Sequence, residues 1–265
     1  MALVNHAWPQ PYPNNVIVGE VRDDKWNARD TTQRFAIGTI YRKDERSWSY
    51  AYAGATLGAD QGCESADYQH IGYVTVAEDT VVGANQLILD TGSGTGPGSD
   101  GLFLANELVN GTIVIFDKSA QSFCRRIVAS SAVASGGGEM TVTVDQGLPV
   151  ALVGDTDYCE CVANRFIDVR IGASATRSIV GIPEYSATVG QYVWIQTWGP
   201  RWVAPQGAVG TGNNDRQVVF RHDGSVDQHD YSDANVAMGQ HAGWNMANAI
   251  GGGQGAAFIF LQISW

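Results

Sequence analysis

The chain has 265 residues and a formal net charge of −11, with 44% apolar residues, 16% charged residues and 32 glycines. Disorder needs low hydrophobicity and many charges, and collagen needs glycine at every third position, so this composition excludes both. Apolar runs fall far short of the about 18 residues of a membrane-spanning helix. The acidic balance repels phosphate backbones and anionic lipid, so neither nucleic acid nor membrane is expected as a partner.

Residues 1–30 read as an extended arm. Pro9, Pro11 and Pro13 favour polyproline II, and they stand where a secretory leader would need an apolar helix. Val16–Val18 reads as a short strand. Trp8, Tyr12 and Trp26 have no local core to enter and are candidate interface anchors. From residue 34 the pattern is β. Arg34–Tyr41 is a strand candidate, Lys43–Arg46 a charged turn, and Ser47–Ala53 alternates with Trp48, Tyr50 and Tyr52 on one face. Further strands are expected at Ile71–Val76, Gln86–Leu89, Thr112–Asp117, Cys124–Val128, Met140–Val144, Asp157–Val162 and Phe166–Ile171. Gly136-Gly137-Gly138 is expected as a turn. Beyond residue 185, strands are expected at Tyr192–Thr197, Gln217–Phe220 and Ala257–Ser264.

Ala234–Ile250 is the best helix candidate, weakened by Gly239 and Gly243. Many short strands without sustained helices indicate an all-β sandwich or barrel of antiparallel strands. The expected organisation is an arm over 1–30, a β-rich main domain over 31–185, and a C-terminal β region over 186–265 packed on it.

Chemistry-bearing motifs are sparse. Leu87-Ile88-Leu89-Asp90-Thr91-Gly92-Ser93 resembles the catalytic loop of aspartic proteases, which needs two such aspartates sharing a proton. Asp223-Gly224-Ser225 lacks the middle residue of a second copy, so Asp90 reads as a strand end before a glycine-rich turn. Gly94–Gly98 lacks the helix that would complete a phosphate cradle. His222, Asp223, Asp227, His229, Asp230, Asp233 and His241 are metal-ligand types without a metal-site spacing, and they read as a polar loop or a structural ion site. Cys63, Cys124, Cys159 and Cys161 form no disulfide or zinc framework and read as free thiols of a reducing compartment. No catalytic residue, metal or cofactor is expected, and the chain reads as a non-enzyme.

Tyr192-Val193-Trp194-Ile195-Gln196-Thr197-Trp198-Gly199-Pro200, preceded by Val189-Gly190-Gln191, resembles a GYYGWVQTWGP-like segment of tailed-phage virion proteins. Arg46 to Gly54 and Val144 to Asn164, the latter through Gly147–Leu152, are similar to other stretches of the same family, in the same order. The resemblance implies a capsid decoration, or cement, protein on the outer surface of the virion head. Its expected partners are the major capsid protein and two further copies of itself in a homotrimer. Tyr192, Trp194, Trp198 and Trp202 join the arm aromatics as interface candidates. Tyr192, Trp194 and Gln196 alternate onto one face, and Trp198-Gly199-Pro200 is expected to turn the chain. A tail or fibre component, a β-sandwich carbohydrate-binding module and a hydrolase remain as alternatives.

Overall fold

The computed structural model describes residues 29–65, 69–96, 100–119, 121–172, 177–206, 209–210, 216–229, 239–246 and 257–264, and the backbone at 16–18. The arm anchors Trp8, Tyr12 and Trp26 lie outside these residues. Among the described residues the regular secondary structure is all β. The chain begins with β1 (Val16–Val18), β2 (Ile40–Lys43), β3 (Arg46–Tyr52) and β4 (Cys63–Ser65). Next come β5 (Gln69–Thr75), β6 (Gln86–Gly92), β7 (Thr112–Asp117), β8 (Gln121–Ser130), β9 (Gly137–Val144) and β10 (Tyr158–Val162). The remainder supplies β11 (Val169–Ile171), β12 (Ile179–Pro183), β13 (Tyr192–Trp202), β14 (Gln217–Phe220), β15 (Val226–Gln228), β16 (Gln240–Asn245) and β17 (Phe258–Gln262).

Two compact units emerge, one built from Asn14–Ala66 and Arg165–Trp265, the other from Asp67–Asn164. The boundary expected at 185/186 falls inside the first unit. The reason is strand pairing: β13 lies between β3 and β17, so the C-terminal strands complete a sheet that the N-terminal hairpin begins. The second unit is an insertion whose entry and exit strands, β4 and β11, pair with each other.

The first unit is a half-barrel with the strand order β1-β2-β3-β13-β17-β16-β14-β15, and β4, β11 and β12 lie off this path. Its strands form because β-branched and aromatic residues recur at period two. Asp44, at φ 54°, makes the turn between β2 and β3, a conformation that aspartate tolerates. Arg34–Tyr41 is not one strand; Gly38 turns the chain at φ 85° and pairing starts at Ile40. Residues 240–245 of the helix candidate form β16. Gly243, at φ 146°, lies so near the Phe260 carbonyl that a Cβ would overlap it.

Strand β13 does not turn at Trp198-Gly199-Pro200 but changes partner. It pairs with β3 as far as Trp198↔Ser47 and with β17 from Trp198↔Gln262 to Trp202↔Phe258. A bulge between Gln196 and Trp198 accommodates the change, and two carbonyls beyond it are satisfied by the buried Gln196 side chain. Gln196 Nε2 donates to the Trp198 carbonyl at 2.9 Å and to the Pro200 carbonyl at 3.0 Å.

The inserted unit is a six-stranded sheet in the order β5-β10-β7-β8-β9-β6. A Val76↔Leu89 bridge, with Ala77 N–H donating to the Ile88 carbonyl at 2.7 Å, joins its two edges and nearly closes the barrel. Closure removes free edges and encloses a core of Ile71, Leu89, Ile113, Ile115, Ile127, Met140 and Val142. Gly137 and Gly138 belong to β9, opposite Gly92 and Thr91, rather than to a turn.

Candidate interaction surface

Alternation in β3 and β13 builds an aromatic cluster first. Tyr50 pairs with Trp194 and Tyr52 with Tyr192 across the two strands. Tyr41, Trp48, Tyr50 and Trp194 are buried together, with Phe35 packed at 5.3 Å from both Tyr50 and Trp194. Trp194 is 5% exposed, so it is a core residue of its own chain rather than a surface anchor. Tyr192 is half-buried and stacks on Tyr50 at 5.8 Å. Burial, with the neighbouring Asp30 and Tyr192, raises the Tyr50 hydroxyl above its ordinary pKa, against the Arg34 N–H that donates to it. Trp48 Nε1 donates to Glu184 Oε1 at 3.1 Å, and Arg201 bridges Glu184 and Asp60.

The bulge after Gln196 shifts the phase by one residue. Trp198 therefore stands opposite Ser47, a residue of the other face, and leaves the cluster that holds Trp194. Its ring meets Phe260 edge-on at 5.7 Å, and Phe260 stacks on Trp244 at 5.3 Å with 6° between planes. Trp202, 46% exposed, lies directly opposite exposed Phe258, with exposed Met246 just past the end of β16. Beneath this layer Ile259, Leu261 and Ala242 point into the half-barrel core. The result is a solvent-facing aromatic surface across β13, β17 and β16, bordered by the polar pair His241 Nε2 and Gln262 Oε1 at 3.2 Å. Of the predicted anchors it contains Trp198 and Trp202. Trp244, Phe258, Phe260 and Met246 are not among the anchors expected from sequence, although Phe258-x-Phe260 carries the period-two signal of one strand face.

The other motifs are separated or satisfied locally. Asp90 is an exposed residue within β6, opposite exposed Glu139, and Thr91 Oγ1 donates to the Gly138 carbonyl at 2.7 Å. Asp223 accepts from the Ser225 N–H and hydroxyl, and Asp227 pairs with Arg221 at 2.9 Å. Burial alone would raise the Asp223 pKa, but these bonds and the charges of Arg221 and His222 hold it below the ordinary value. Asp230 and Asp233 lie outside the described residues. Among the described residues no group of three or more His, Cys, Asp or Glu converges on a metal-sized site. Cys63, Cys159 and Cys161 are buried free thiols, and Cys124 is an exposed one. Burial pushes the Cys63 thiol up, and a hydrogen bond with Cys159 together with burial does the same to Cys161.

No family model matches the chain, no curated protein matches it, and no solved structure matches it.

Proposed function

We propose that the chain is a structural protein of a tailed-phage virion, a decoration or cement protein that binds the outside of the head lattice and stabilises it by contact alone. The observation that carries this reading is β13. The segment that bears the resemblance is a central strand of the half-barrel, and it runs on into the aromatic surface of half-buried Trp198 and exposed Trp202, Phe258 and Trp244. Aromatic residues and methionine are enriched at the centres of protein interfaces, where charges are depleted. A neutral surface also lets copies of a chain with net charge −11 meet without placing like charges in contact. In this reading three copies associate through the aromatic surface. The trimer then multiplies a weak single contact with the major capsid protein through effective concentration.

The test is the abundance of the chain relative to the major capsid protein in purified particles. A ratio near one, or a simple fraction of it, supports decoration. A few copies per particle refutes it and points to a tail or fibre. The exposed Trp202 and Trp244 favour a second reading, a carbohydrate-binding module in which these rings stack on sugars. A monomer that binds glycans and is missing from particles would select that reading.

A further inference from the structure

One end of the inserted barrel carries a surface of different chemistry. The β5–β6 connection (residues 76–85) and the β9–β10 connection (residues 145–157) lie against each other there. Thr80 N–H donates to the Leu152 carbonyl at 2.9 Å, and Leu152 N–H returns to Thr80 Oγ1 at 3.0 Å. Gly83 N–H donates to the Leu148 carbonyl and Leu148 N–H to the Ala84 carbonyl, both at 2.8 Å. Gly147 allows this approach, since a Cβ there would sit 2.7 Å from the Gly83 carbonyl oxygen. Asp79 Oδ1 accepts the Gly154 N–H at 2.8 Å and Asp157 Oδ2 accepts the Val153 N–H at 2.6 Å.

Leu148 and Leu152 point inward and plug the barrel core, and half-buried Val150 between them packs against the same core, whereas the other apolar residues beside them point out. Pro149 and Ala151 are exposed, and Val81, Val82 and Val153 are 72%, 66% and 51% exposed. Three valines held outward on a hydrogen-bonded frame cannot turn into the core, which is already filled by the two leucines. The charged side chains of the two connections beyond Asp145 and Asp157, which are engaged with backbone N–H groups, are Glu78, Asp79 and Asp155, all exposed. The nearby cations are Arg126, whose guanidinium pairs with Asp145 at 3.3 Å, Arg125, whose guanidinium donates to the Gly147 carbonyl, and Lys118, whose backbone N–H donates to Asp157.

We propose that this tip is a preformed docking plug for a protein partner that offers an apolar pocket bordered by lysine or arginine. The inference rests on the virion reading above, in which that partner is the major capsid protein. The acidic rim selects the occupant. A second copy would bring the same three carboxylates against it, and anionic lipid or nucleic acid would be repelled. The rigid frame means that little conformational freedom is lost on docking, so the burial of the valines goes into affinity.

The test uses heads purified from a genome in which this reading frame is deleted, mixed with the purified full chain and sedimented. The double variant Val82→Ser/Val153→Ser is expected to bind about tenfold or more weakly, because two largely exposed valines lose their burial on docking. Glu78→Gln/Asp155→Asn is expected to bind about three- to tenfold more weakly at low salt and to lose most of its salt dependence. Asparagine keeps the positive φ of 55° at residue 155. Both variants should melt as the wild type does, since neither changes a buried contact.

If the wild type saturates heads and both variants match it, the plug is overturned and decoration stands. If the wild type leaves heads bare, both ideas fall. Self-association of the wild type that the valine variant abolishes would overturn the plug in favour of a second copy. Co-sedimentation with phosphatidylcholine vesicles that the same variant abolishes would overturn it in favour of lipid.

Discussion

Replacing Gly199 with alanine probes the point where β13 changes partners. Gly199 has φ 96°, and a Cβ there would lie 2.5 Å from the Glu45 carbonyl oxygen and 3.0 Å from the Arg46 Cα. Both atoms are backbone, at the end of the β2–β3 turn and the start of β3, so rotation of a side chain cannot relieve the overlap. Positive φ costs an L-residue about 1–2 kcal/mol, and forcing an extra methyl into a packed site about 1–3 kcal/mol. The sum is about 2–5 kcal/mol, a large part of the roughly 5–15 kcal/mol that stabilises a domain.

Gly190 is the control, with φ 86° and no atom within 4 Å of its added Cβ. It should lose only the conformational part, about 1–2 kcal/mol. Tryptophan fluorescence during denaturant unfolding reads the half-barrel alone, because all eight tryptophans lie outside residues 67–164. Thermal midpoints should fall by about 2–4 °C per kcal/mol. Gly199→Ala should therefore melt clearly below Gly190→Ala. Midpoints that agree to within about 0.5 kcal/mol would refute the close approach of β13 to the turn.

Gln196→Met should destabilise the half-barrel by about 1–3 kcal/mol in the same denaturant assay, because it strands the Trp198 and Pro200 carbonyls at the bulge. Arg201→Met leaves the largely buried Glu184 without its cation, and the same assay should record a loss of about 3 kcal/mol. Native labelling with a thiol reagent near pH 8 should modify Cys124 alone, with Cys63, Cys159 and Cys161 reacting only after denaturation; early reaction at the buried three would contradict their placement. Tyr50 and Tyr192 have folded pKa values raised above their unfolded value, so their contribution is intact below about pH 10 and is lost as pH rises through the folded values. Circular dichroism should show alkaline loss of stability above that point, and Tyr50→Phe should flatten it. Asp223 behaves oppositely: its stabilisation is present above the ordinary aspartate pKa and fades as pH falls through the lowered value, a dependence that Asp223→Asn should remove from an acid titration of stability.

Local patterning reveals the strands far better than their partners. Trp48, Tyr50 and Tyr52 alternate in sequence and share a face with Trp194 and Tyr192, because period two is a property of a single strand. Strand β12 carries no such signal, since Ile179–Pro183 is buried at every position. Gly199-Pro200 reads as a stop, yet the glycine serves a partner change that depends on Glu45, far away in sequence. Gly243 likewise reads as a helix weakness, whereas it allows β16 to press against Phe260. The nested second unit is invisible locally, because it follows from β3 pairing with β13.

The candidate surface shows the same division. Trp198 and Trp202 stand out in the sequence as aromatics, but the bulge that separates them from buried Trp194 is a tertiary event. The exposed valines at 81, 82 and 153 show their orientation only once Leu148 and Leu152 are seen filling the barrel.

The insertion also sets an order of events on the ribosome. Tyr50 and Trp194, neighbours in the aromatic cluster, are separated by 194 − 50 = 144 residues of synthesis. At roughly 5–20 residues per second, the β2–β3 hairpin waits about 7–30 s for its central partner strand. During that interval Tyr41, Trp48 and Tyr50 have no β13 to cover them, while the whole barrel unit, complete at Asn164, has already emerged and can close. The half-barrel thus matures last, and its uncovered hairpin is the stretch of the nascent chain most in need of a chaperone or of slow, dilute expression.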